Sequence, residues 1–131
     1  MPKLSSPVRS VFAVVDGILL FFAIEGIFYA IAFLGLHRSF DTPTVPYLGF
    51  NLVWALLAAL AGGYTAGRVA HRSPVAHGVV IACLFLVLSL YNLNKGVGGR
   101  HTGFVVAFNF LVPLAFIWGA WLVSQRSLRR A

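Results

Sequence analysis

The sequence predicts an all-α integral membrane protein: one domain of four transmembrane helices in an antiparallel bundle, with both termini on the cytoplasmic side. Three observations lead there. Hydrophobic residues make up 60% of the 131 residues and charged ones only 10%, whereas soluble domains average about 45–50% apolar and about 25% charged. The apolar residues gather into four long stretches, each near the ~20 residues that span a hydrocarbon core. The basic residues lie at the ends and in the connections between these stretches, as positive-inside topology requires. Nucleic acid is a poor partner for the net charge of +7, because the cations form no continuous face with interleaved exposed aromatics.

The first span runs from about Val11 to Leu36 and holds two acids, Asp16 and Glu25. Ser6-Pro7 ahead of it supplies an N-cap and a first-turn proline. A cleaved signal peptide would also begin with basic residues and offer a triplet such as Ala30-Ile31-Ala32. This apolar stretch is too long for a signal core, and two acids interrupt it. Asp41, Thr42, Pro43, Thr44 and Pro46 then form a breaker-rich connection. The second span, Pro46 to Ala66, carries no charge. The third runs from Pro74 to Leu93 behind a second Ser-Pro start, and the fourth from Gly103 to Val123 behind the glycine-rich link Asn94–Gly99. Unpaired backbone groups are not tolerated in lipid, so each stretch is read as a helix. Short loops make neighbours antiparallel.

Orientation follows from lysine and arginine. With the N-terminus inside, the inner segments carry Lys3, Arg9, Arg68, Arg72, Arg126, Arg129 and Arg130, and the outer loops carry Arg38, Lys95 and Arg100. Tyr47 and Tyr91 fall near the outer boundary, Trp118 and Trp121 near the inner one, as interfacial aromatic belts. The expected place is a bacterial inner membrane, and the expected first partner is the lipid bilayer.

Glu25 is the most informative side chain. An ionised carboxylate in mid-span costs several kcal/mol, so a protonated acid or a bound cation is expected there. No lysine or arginine lies at its depth in another span. Hydrogen-bonding neighbours are expected instead: Tyr29 one turn on, or an asparagine, Asn51 or Asn109, from another helix. Two readings follow, a proton- or cation-carrying carboxyl, and a protonated acid that ties helices together. Asp16 stands nine residues from Glu25, on the opposite helix face, so the two are no paired-carboxylate site. Near the boundary Asp16 reaches solvent.

Pro113 removes the backbone bond to Asn109 and predicts a kink in the fourth span. The second span repeats small residues every four positions: Ala55, Ala59, Gly63, Gly67, and beside them Ala58, Gly62, Ala66, Ala70. Such a face admits another helix at close range, either within the chain or from a second copy or a membrane partner. Chemistry-bearing patterns are few. Cys83 is alone, so no internal disulfide or cysteine metal motif exists. His37 with His101 and Asp41 lacks metal-ligand spacing, as do His71 and His77. Gly96-Val97-Gly98-Gly99 has neither the preceding strand nor the GK[ST] ending of a phosphate loop. No nucleophile elbow or zincin helix appears. No metal or cofactor is expected, and enzymatic activity is not indicated.

The stretch Gly62-Gly63-Tyr64-Thr65-Ala66-Gly67-Arg68-Val69-Ala70, completed by Arg72, Ser73 and Pro74, resembles an element of small uncharacterised bacterial four-helix membrane proteins. There a GGYxAGR-like helix end leads into a short basic turn and a proline. This resemblance implies the membrane class and brings no activity with it. In having four short helices and a glutamate in the first, the chain is also similar to small multidrug-resistance exporters, whose glutamate is essential. Here Glu25 sits deeper in a longer span, and the surrounding residues differ. The expected role is a non-enzymatic assembly or accessory protein; the alternative is a small proton- or cation-coupled transporter using Glu25.

Overall fold

The structure, a computed structural model, describes residues 6–35, 44–70, 72–94 and 102–128. Four helices account for nearly all of them: α1 (Ser6–Ala30), α2 (Val45–Ala70), α3 (Pro74–Asn94) and α4 (Thr102–Leu128). All four are long and apolar enough to cross a membrane. A π-helical turn, Ile31–Gly35, extends α1, a local widening that the sequence does not announce.

The helices begin and end where local chemistry dictates. Pro7 and Pro74 occupy first turns, where a missing N–H costs nothing. The connection from α2 to α3 is tight: the Arg72 N–H donates to the Ala70 carbonyl (2.6 Å), and Ser73 takes the left-handed φ of 48°. The His77 Nδ1 lies 3.1 Å from the Ser73 carbonyl, a bond that requires the ring proton on Nδ1. Helices α2 and α4 run past the apolar limits of Ala66 and Val123, to Ala70 and Leu128. Their last turns carry Arg68 and Arg126, whose charges suit the negative end of a helix. Hydropathy marks only the lipid-compatible length, whereas a helix continues until its backbone finds other partners.

Helix α2 is the axis of the packing, lying against both α4 and α1, while α3 packs chiefly on α4. Along α1 and α2 the contacts run in opposite order. The Arg9 Nε donates to the Val69 carbonyl (2.8 Å), Gly17 meets Gly62, and the Trp54 Nε1 donates to the Ile24 carbonyl (2.9 Å). Along α2 and α4 they run in the same order, Gly63 on Phe116 and Gly67 on Ala120.

Glycine sets the closeness of these approaches. A Cβ on Gly62 would overlap the Gly17 carbonyl, one on Gly63 the Phe116 carbonyl, and one on Gly119 the Leu60 carbonyl. The small residues Ala55, Ala59, Gly63 and Gly67 are all buried, as are Ala58, Gly62, Ala66 and Ala70. That face is therefore occupied by α1 and α4 of the same chain and is not open to a second copy. Around it lie Phe21, Ile81, Val112, Ala115 and Phe116, with the Phe21 ring 5.2 Å from that of Phe116 and 5.6 Å from that of Phe85. Large apolar side chains such as Val11, Leu19, Leu57, Val87 and Phe110 face outward, which suits a lipid surround.

Two substitutions test this account. Gly63→Leu should destabilise the chain by about 3 kcal/mol or more, because backbone rather than a mobile side chain stands in the way. Gly26→Leu, with nothing within 4 Å of the added Cβ, should leave the thermal unfolding midpoint in detergent nearly unchanged.

Candidate functional site

Glu25 faces inward from α1 and is only 5% exposed. Its carboxyl Oε1 is buried without a hydrogen-bond partner among the described residues. Such an oxygen carries the full desolvation penalty, on the order of 1–3 kcal/mol. Nine residues earlier on the opposite face, Asp16 is exposed, so the two acids are separated as the helical period requires. Arg9 is committed to the Val69 carbonyl.

The polar neighbours of Glu25 come from two helices. Tyr29, one turn on, shares a side-chain hydrogen bond with Asn51 of α2, and Asn51 is itself 4% exposed. Glu25, Tyr29 and Asn51 are thus brought together, across the α1–α2 contact. Asn109 takes a different part: its Nδ2 donates to the Val105 carbonyl one turn back on its own helix, at 2.8 Å. It forms a local bond beside Pro113 rather than a tie to α1, and α4 runs on through the proline.

Beside the carboxyl lies a cavity of about 260 Å³, lined by Phe21, Phe22, Glu25 and Tyr29 of α1, Phe85, Leu88 and Ser89 of α3, and Phe108 of α4. Phe22 and Leu88 are exposed, so the cavity reaches the outside of the helix assembly. Its walls are largely phenyl rings, and its polar groups are one carboxyl, one phenol and one hydroxyl. Such a set can hold a proton, or a small cation with the carboxylate as counter-ion.

Ser89 is the residue that sequence reasoning passed over. It follows Ile81 and Phe85 at four-residue steps, so the burial of that stripe on α3 would have found it. The Trp54–Ile24 bond has no sequence signal, because any buried indole N–H seeks an acceptor and several carbonyls are within reach. His37, Asp41, His71 and His101 lie outside the described residues. Among the described residues no three metal-ligating side chains gather.

Comparison with family models, with curated proteins and with solved structures finds no match to this chain.

Replacing Tyr29 with Phe removes the hydroxyl that the buried Asn51 side chain bonds. It should lower stability by about 1–3 kcal/mol, read as a fall in the thermal unfolding midpoint. Glu25→Gln breaks no ion pair among the described residues and should leave the stability within about 1 kcal/mol of native, with little change in the same midpoint.

Proposed function

We propose that this chain is an integral protein of a bacterial inner membrane. In this reading it is an antiparallel four-helix bundle with both termini cytoplasmic, and Glu25 takes up and releases a proton or small cation in the cavity between α1, α3 and α4. The placement in lipid is supported by the four apolar helices and their outward apolar side chains. The orientation is supported by Arg9, Arg68, Arg72 and Arg126, the basic residues among those described, which lie at the end where α1 and α3 begin and α2 and α4 finish.

The observation that carries the transport reading is that Glu25, whose Oε1 has no hydrogen-bond partner among the described residues, lines a cavity that reaches the outside. A carboxyl that only tied helices together would have its oxygens bonded to a neighbouring helix. The competing role, a non-enzymatic assembly or accessory subunit, rested on the small-residue face of α2. With that face buried against α1 and α4, a partner would need a different surface.

Two measurements test the proposal. Proton flux into liposomes under an imposed pH gradient should fall at least about ten-fold in Glu25→Gln, as expected when the carrying group itself is removed. Equal proton flux in the two proteins, together with equal flux of sodium under an imposed sodium gradient, would end the transport reading. The membrane placement is tested separately through Cys83, which sits on the exposed side of α3. In reconstituted protein a charged thiol reagent should leave it unmodified, and in denaturing detergent the same reagent should label it fully. Rapid labelling in intact liposomes would contradict a lipid-facing α3.

A further inference from the structure

At the end where α2 and α4 finish, two arginines converge on one ring. The Arg126 Nη1 donates to the Tyr64 hydroxyl at 2.7 Å, and its guanidinium carbon lies 5.4 Å from the ring centroid. Arg68, one turn after Tyr64 on α2, places its guanidinium 5.9 Å from the same centroid. A third cation, Arg9, is bound to the carbonyl of the adjacent Val69. The chain has only three acids, and among the described residues none pairs with either Arg68 or Arg126.

Like charges held against one ring repel, and each stacking contact contributes only about 0.5–1 kcal/mol at an exposed site. An anion bound by both guanidinium groups would offset that repulsion. Arginine has five N–H donors, and Arg126 directs one of them to Tyr64. The others remain for a multidentate oxyanion, the geometry in which guanidinium binds phosphate most strongly. Both arginines are exposed. Trp118 and Trp121, exposed earlier along α4, mark the depth at which aromatic side chains meet the headgroup layer. A phosphate reaching this clamp from within the bilayer is already attached to a lipid.

We propose that Arg68, Tyr64 and Arg126 form a binding site for the phosphate of an anionic phospholipid in the leaflet at this end of the chain. The site is separate from Glu25 and shares with the proposed function only the placement in lipid, which the Cys83 measurement reports independently.

The test is thermal unfolding of the purified chain in neutral detergent with added phosphatidylglycerol, phosphatidylcholine or inorganic phosphate. Phosphatidylglycerol should raise the midpoint, and the other two should not. Arg68→Gln combined with Arg126→Gln should weaken the phosphatidylglycerol effect at least about ten-fold, as two lost cations near a lipid surface imply, while Arg72→Gln keeps it. If the double glutamine variant does not fold, Arg68→Lys with Arg126→Lys retains the charge but loses the planar fork, and several-fold weaker binding is expected. An equal shift from phosphatidylcholine, an equal shift from inorganic phosphate, or an undiminished effect in the double variant would each overturn the lipid site.

Discussion

The structure depends on how closely the backbone of α2 meets its neighbours. Where Gly62 and Gly63 face Gly17 and Phe116, and where Gly119 faces Leu60, no Cβ fits between the helices. Lipid tails are as apolar as leucine, so burying an apolar side chain between helices brings little hydrophobic gain in a bilayer. Association must come from close van der Waals contact. The eight small residues of α2 provide that contact on two sides at once, α1 on one and α4 on the other. Helix α3 is then held through α4, with Gly78 against Ala120 and Phe85 against Phe116.

That dependence explains where the cavity lies. Gly17 and Phe21 on α1 meet Ile81 and Phe85 on α3, and beyond this level α1 stays tied to α2 through Trp54 and through Tyr29 with Asn51. The space beside Glu25 is bounded by bulky phenyl rings rather than by small residues. Rings cannot interdigitate as closely as glycine and alanine, so a void remains. The void therefore lies on the side of α1 that meets α3 and α4, away from the small-residue face of α2.

At the opposite end the chemistry changes from apolar contact to charge. The last turns of α2 and α4, side by side and pointing the same way, bring their arginines to Tyr64. Both carbonyl-rich helix ends attract cations, and the scarcity of acids leaves those cations available to the lipid headgroup layer.

Much of this was legible in the residues. Hydropathy alone predicts four membrane-length helices, because lipid leaves the backbone no alternative to internal hydrogen bonding. The helical period by itself separates Asp16 from Glu25, and the four-residue repeat of alanine and glycine identifies the packing face of α2. What that face packs against was decided only by the tertiary structure, since small residues permit close approach without specifying the partner. The same holds for the asparagines. Asn51 and Asn109 look equivalent in sequence, yet one bonds Tyr29 across helices and the other turns back to Val105, because only Asn51 lies on a buried contact face. Tyr64, Arg68 and Arg126 become a cluster only when α2 and α4 lie side by side, for a one-dimensional pattern records spacing along a helix and carries no register between two of them.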